Sequence, residues 1–338
     1  MRETKHEATP MTDSIGRREF LARSALGAAA LALPLGCQRY VGAIAPSEMF
    51  VSMPPWAVAR KVGWPEQARL AARVGYKGID WAFGPAKAAG VEATRALLAD
   101  LVIVPTIVNL PMRDPLGPDD AAFDAQLAML REDAAFCQAI GCSRFQFVLG
   151  PTTPNGQSKR DRWAHVQRRL SSVASILAQH DMRLGLEFLG VLGFRMRRGN
   201  DASAPDPVPF VWTLSETLAL GEASGPNVGV TLDAWHWYHS GGTLDEIRSA
   251  RVERIVHVHV SDARAMAPEQ VQDDMRLLPG EGVIDLVGFF KALKSIGYQG
   301  GVAPETIGPR LPDTMPPEES ARLGLESTLA VMKKAGVL

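Results

Sequence analysis

The chain has 338 residues, 46% of them hydrophobic, which suits one large α/β domain or two small ones. Lys and Arg number 36 against 37 Asp and Glu, so no overall field draws the protein to nucleic acid or to an anionic membrane surface. Three cysteines exclude a disulfide framework, and Cys137 and Cys142 read as buried thiols that pack as small hydrophobes.

Residues 1–46 read as separate from the fold. Arg17-Arg18-Glu19-Phe20-Leu21 precedes an Ala- and Leu-rich run from Ala22 to Gly36. That run falls short of the roughly 20 apolar residues of a membrane-spanning helix and matches the charged and hydrophobic regions of an export signal. The paired arginines followed by Phe-Leu resemble a twin-arginine signal, which hands folded proteins to a dedicated export machinery. Leu33-Pro34-Leu35-Gly36-Cys37 resembles a lipoprotein cleavage box, with Pro34 departing from the usual aliphatic residue. The expectation is a periplasmic or exported protein, free or tethered to the membrane through a lipidated Cys37.

From residue 47 to 338, short apolar runs alternate with longer helical stretches, the pattern of repeated βα units and a parallel sheet. The predicted strands are Met49 to Met53, Gly78 to Ala82, Leu101 to Asn109, Arg144 to Leu149, Arg183 to Leu189, Val228 to Ala234, Ile255 to Ser261 and Gly301 to Glu305. Eight such units predict a single-domain (β/α)₈ TIM barrel. Gly75-Tyr76-Lys77-Gly78 and Gly297-Tyr298-Gln299-Gly300 both place Gly where a helix C-terminus needs a left-handed residue. Asp285 reads as the N-cap of a helix that carries Leu286, Phe290, Leu293 and Ile296 inward. The stretches Arg195 to Pro209 and Arg264 to Glu281 follow strand C-terminal ends and are expected to be loops of the functional face.

A fully buried parallel strand should be almost continuously apolar, so polar residues that close such strands are informative. Strand five ends in Glu187, strand six in Asp233 followed by His236, strand seven carries His257 and His259, and strand eight ends in Glu305. Carboxylates crowded at one end of a barrel would repel and raise one another's pKa unless a cation neutralised them. Glu187, Asp233, His259 and Glu305 are therefore expected to ligate one divalent metal ion. Oxygen-rich ligation with one imidazole suits Mn²⁺, Mg²⁺ or Co²⁺, and Zn²⁺ accepts the same donor types. His257, deeper on its strand, is expected to support His259 from behind. Trp56, Trp81, Trp235 and Trp237 stand where a ring could stack on a sugar, and Asn109 and Gln146 are expected to hydrogen-bond a small carbohydrate substrate at the same mouth. Arg264 is expected to hold a substrate hydroxyl or a developing negative charge.

Gly185-Leu186-Glu187, Leu232-Asp233-Ala234-Trp235-His236, His257-Val258-His259-Val260-Ser261-Asp262, Pro279-Gly280-Glu281-Gly282-Val283-Ile284-Asp285 and Gly297-Tyr298 leading to Pro304-Glu305 resemble the motifs of the xylose isomerase-like barrel superfamily, in its sugar phosphate isomerase/epimerase group. The resemblance runs from about residue 48 to the C-terminus. It implies the same four metal ligands, a substrate contact at His236, and an acid/base pair in which Glu187 removes a proton next to a carbonyl and Glu305 returns one to the opposite face. Ketose 3-epimerases of this group carry a further glutamate soon after the strand-five ligand, where this chain has Gly190-Val191-Leu192-Gly193-Phe194-Arg195.

A lyase or hydrolase of keto-sugars, keto-glycosides or inositol-derived ketones is therefore an alternative to an isomerase or epimerase, since all begin with proton removal beside a carbonyl. A secreted sugar-binding protein without turnover is a further reading. An apurinic endonuclease shares Asp-x-x-His but needs more histidines near strands two and three, where Trp81 and Asn109 stand.

Overall fold

Short, apolar, β-branched runs separated by capped helices leave the chain one economical closure, a ring of parallel strands with the helices outside. In the computed structural model, which describes residues 48–154, 156–196, 207–308 and 314–338, the strands are β1 (Phe50–Met53), β2 (Gly78–Asp80), β3 (Val104–Asn109), β4 (Arg144–Leu149), β5 (Arg183–Phe188), β6 (Val228–Asp233), β7 (Ile255–Val260) and β8 (Gly301–Pro304). Each pairs in parallel with the next and β8 with β1, closing the barrel. The fold expected from the sequence is the fold observed. The export signal and Cys37 lie outside the described residues, as does much of the stretch from Arg195 to Pro209. No helix among the described residues is long and apolar enough to cross a membrane.

Several strands are shorter than the apolar runs that predict them. β2 stops at Asp80, and Leu101 closes the helix Val91–Leu101, with Val102 turning out of it at φ 55°. The helix Leu286–Ser295 is capped by Asp285, whose carboxylate accepts from Gly288 N, and it buries Leu286, Phe290 and Leu293 as expected, with Ile296 partly covered beyond its end. Gly75 and Gly297 both follow helices with positive φ, at 104° and 80°.

Two devices aim side chains at the barrel mouth. The β2–β3 register shifts between Ile79 and Asp80, and the β6–β7 register between Val230 and Thr231, so Asp80 and Asp233 each follow an irregularity that reorients what comes after it. Asp233 then pairs with His259 in register, and His259 with Ala303. Glu305 lies one residue past β8, yet its N–H donates to Val260 O at 2.9 Å and extends the ladder.

Candidate active site

Glu187 at the end of β5, Asp233 closing β6, His259 on β7 and Glu305 after β8 are all buried. His259 Nδ1 donates to Glu187 Oε1 at 2.8 Å and lies 3.3 Å from Glu305 Oε2. The Trp56 indole N–H donates to Glu305 Oε1 at 3.0 Å. Glu187, His259 and Glu305 offer ligand atoms within 4.8 Å of one another, a set that could hold an ion. Asp233 is not part of that set. Its Oδ1 accepts from Trp235 N at 3.0 Å, capping the helix Ala234–His239, and its Oδ2 accepts from Arg276 Nη1 at 2.7 Å.

Arg276 is a central residue that the strand pattern could not reveal, because it lies on the loop after β7. Its Nη1 also donates to Glu305 Oε2 at 2.9 Å, and its Nη2 donates to Asp273 Oδ1 at 2.8 Å and to His236 Nε2 at 3.2 Å. The loop is folded back by reciprocal backbone hydrogen bonds between Asp262 and Leu277, and the Asp262 carboxylate accepts from Gly280 N and Ile284 N. This return puts Arg276, not Arg264, against the carboxylates. Arg264 is exposed and lines a cavity of about 260 Å³ that Arg276 and Gly308 also line.

The electrostatics are unequal across the site. Burial, with the nearby Glu305 carboxylate, pushes Glu187 up to about 7 despite His259. Burial acts on Glu305 in the same direction, but His259, Arg276 and the Trp56 hydrogen bond outweigh it and hold Glu305 well below the usual carboxylate range. His259 is raised well above an ordinary histidine because Glu305 and Glu187 outweigh its burial. His236 is lowered by burial, consistent with a neutral ring whose Nε2 accepts from Arg276. The donor set fits a divalent cation. Glu187 is the carboxylate least compensated by the protein's own cations, and a positive charge beside it would keep it ionised.

Of the other residues singled out in the sequence, His236 joins the site through Arg276 and lies edge-on to Phe194 at 6.2 Å. His257 does not support His259 directly: their rings stand edge to face at 5.2 Å, and His257 Nε2 bonds Asp80 Oδ2 at 3.0 Å. Trp81 is 3% exposed, packs on Phe83 and Phe136 and points its N–H at Cys142 Sγ, 3.4 Å away. Trp235 and Trp237 are core residues, whereas Trp81, packed as it is, also lines the cavity at the mouth. Trp56 and Asn109 line a cavity of about 310 Å³ whose wall includes Asp80 and Phe83, and Gln146 Nε2 donates to Asn109 Oδ1 at 2.8 Å. The loop after β5 passes so close to the Ala234–His239 helix that a Cβ at Gly190 would sit 2.0 Å from His236 O. That approach explains the glycine at this position.

Asp80 was also missed, although it carries the signal that found the others, a carboxylate at a strand end. It is fully buried, accepts from Ser52 Oγ at 2.6 Å and from Thr106 Oγ1, and lies 3.7 Å from His259 Nε2. Burial would raise its pKa, but His257 and His259 hold it below the normal range.

Residues 68–333 match the pattern of the family described as Xylose isomerase-like TIM barrel. The inosose isomerase of Bacillus licheniformis is 31% identical over 199 residues, covering 59% of this chain and 66% of that protein. The 3-dehydroshikimate dehydratase of Pseudomonas putida is 29% identical over 155 residues, covering 44% of this chain and 23% of that one. The chain thus spans less than two thirds of the length of these curated relatives. Among solved structures, a xylose isomerase domain protein from Alicyclobacillus acidocaldarius superposes with TM-score 0.75 at 30% identity, covering 85% of this chain and 99% of that one. The IOLI protein, solved with a bound zinc atom, superposes with TM-score 0.70 at 19% identity over 85% of this chain and 99% of its own.

Proposed function

The chain belongs to the xylose isomerase-like TIM barrel family, and on that footing we propose that it is a divalent-metal-dependent isomerase or epimerase of a sugar-like keto compound, working by proton transfer beside a carbonyl. The observation that carries this reading is the pair of buried glutamates, Glu187 and Glu305, set against one histidine with their proton affinities driven apart. Environments that separate two titratable groups assign the acid and the base.

Glu187, His259 and Glu305 would hold the ion, with Asp233 joining them where Arg276 releases its Oδ2. Bound there, Mn²⁺, Mg²⁺, Co²⁺ or Zn²⁺ would polarise the substrate carbonyl and stabilise the oxyanion that forms. An ion beside Glu187 would keep it ionised, so Glu187, the carboxylate with the higher proton affinity and the stronger base, takes the proton, as the resemblance implies. Glu305, which accepts hydrogen bonds from Arg276 and Trp56, would return one to the other face, and the reverse reaction uses them in the opposite order. His236 and Arg276 present hydrogen-bonding groups beside the carboxylates, and Trp56 with Asn109 frames the neighbouring cavity for the rest of the substrate.

A metal-dependent lyase is the second reading, favoured by the similarity to the 3-dehydroshikimate dehydratase. A proton held by one of the two glutamates could be passed to a departing hydroxyl as readily as to a carbon. Incubating the metal-loaded protein with inososes and free ketoses in D₂O separates the two. Deuterium at the carbon beside the carbonyl without loss of water supports the isomerase, and an absorbing enone supports the lyase. No exchange with any keto compound, or no stoichiometric ion in the purified protein, overturns both. Export by the twin-arginine route, with or without a lipid on Cys37, belongs to the same proposal and is tested by cell fractionation with Arg17→Lys/Arg18→Lys and Cys37→Ser variants.

A further inference from the structure

Asp80 sits below the mouth of the barrel, outside the acid/base pair, in a setting more elaborate than a satisfied core carboxylate requires. Neighbouring strands fix it from both sides. Ser52 on β1 donates to Oδ1 at 2.6 Å and Thr106 on β3 donates to the same oxygen. His257 on β7 takes one side of Oδ2 at 3.0 Å. The register shift between Ile79 and Asp80 lies at this residue. The remaining side of Oδ2 faces His259 Nε2 across 3.7 Å, and that nitrogen is fully buried with no hydrogen-bond partner. A gap of this size is too long for a hydrogen bond but is closed by a ring movement of about 0.7 Å.

Burying a carboxylate in a barrel lumen is costly unless every lone pair is used. Ser52, Thr106 and His257 could be satisfied by an amide or a hydroxyl, so they alone do not call for a charge. The feature that does is a histidine whose far nitrogen must carry a proton while its near nitrogen is turned to the mouth. A histidine that ligates a metal commonly donates its other N–H to a carboxylate, which sets the tautomer and the ring orientation.

We infer that Asp80 is the positioning residue for His259: it holds the proton on Nε2, so that Nδ1, which here donates to Glu187, can give up its own proton and present its lone pair to the ion that Glu187 and Glu305 would hold. The cluster of Asp80, His257 and His259, which has metal-like spacing, is on this account an orienting network and not a second ion site. The inference rests on the metal-dependent reading given above.

The test uses Zn²⁺ and the full chain. Calorimetric titration of wild type and Asp80→Asn compares affinities. The amide keeps an acceptor for Ser52 and Thr106 but offers His259 an N–H where it had an oxygen, so it favours the wrong tautomer, as replacing an orienting Asp by Asn does elsewhere. Zinc affinity should fall by about 10- to 100-fold, whereas His257→Gln should stay within about threefold of wild type. An equal loss in both variants would indicate general damage to the lumen and overturn the assignment, as would an unchanged Asp80→Asn. If Asp80→Asn does not fold, ¹⁵N resonances of zinc-loaded wild type decide. Nδ1 bound with Nε2 protonated supports the inference, and Nε2 bound to zinc overturns it. Wild type that binds no zinc, manganese or cobalt overturns the metal-dependent reading together with this one, whereas tight binding by both wild type and Asp80→Asn overturns this one alone.

Discussion

Strands β5 to β8 carry Glu187, Asp233, His259 and Glu305 at the mouth, whereas β1 to β4 present Trp56, Phe83, Asn109 and Gln146 around it, with Asp80 sunk beneath. The first arc concentrates charge in a buried place, where electrostatic interactions are strong and unpaired groups are costly. The second arc offers rings and amides, whose contributions come from area and hydrogen bonds. Substitutions in the charged arc should therefore act on rate and on stability together, and those in the neutral arc on substrate affinity or on stability alone.

The largest effect is expected at the glutamates. Glu187→Gln and Glu305→Gln keep shape but remove the proton carriers, so deuterium exchange into a substrate should slow by about 10²- to 10⁴-fold. Asn109→Ala, across the mouth, should raise KM several-fold with kcat nearly unchanged. Equal losses of kcat in both arcs would break the division.

Next comes Arg276→Met, which leaves Asp233 and Glu305 buried without their shared partner. Removing one member of such a network costs about 3–5 kcal/mol, measurable by denaturant unfolding. Saturating Mn²⁺ should restore part of that loss by supplying positive charge to the same carboxylates. A loss that Mn²⁺ leaves untouched would place Arg276 outside the ion's reach.

How much of this was legible follows from where each residue stands in the chain. Glu187, Asp233, His259 and Glu305 interrupt apolar strands, and a carboxylate there has no bland solution in a barrel. Asp80 gives the same signal, but the run continues through Trp81 to Ala82 and hides the strand end at Asp80. Arg276 had no such signal, since only the fold-back of the loop around Asp262 brings it to Asp233. The tryptophans show a different limit: packing on Phe289, as Trp237 does, and lining the mouth, as Trp56 does, ask for the same side chain, and only the surrounding atoms separate them.

A smaller effect isolates one hydrogen bond between the arcs. Trp56→Phe keeps the ring against His259 but removes the N–H donated to Glu305 Oε1. A hydrogen bond to a charged group contributes about 1.5–3 kcal/mol. Because that bond lowers Glu305's pKa, its loss must raise it, and the acid limb of the rate profile should move to higher pH. A profile that stays in place would mean that the neutral arc does not tune the charged one.

The smallest effect concerns stability in mild acid and sits in the charged arc. His239, in the helix after β6, lies against Trp235 at 4.4 Å between ring centroids, and burial, with His236 and Arg276 nearby, pushes it down to about 4. In the unfolded chain it titrates near 6.5. Between those values the unfolded chain binds the proton and the folded chain does not, so stability falls as pH drops through this window and is fully present above it. The ring is partly open to solvent, which keeps the effect modest. His239→Gln should flatten the slope of unfolding free energy between about pH 6.5 and 4 while leaving the neutral-pH rate intact. Hydrogen exchange at pH 5 should then show earlier opening of β6 and β7 than of β2 and β3 in wild type, and a narrower difference in the variant. Equal opening of the two arcs in wild type would remove the acid sensitivity from the charged side.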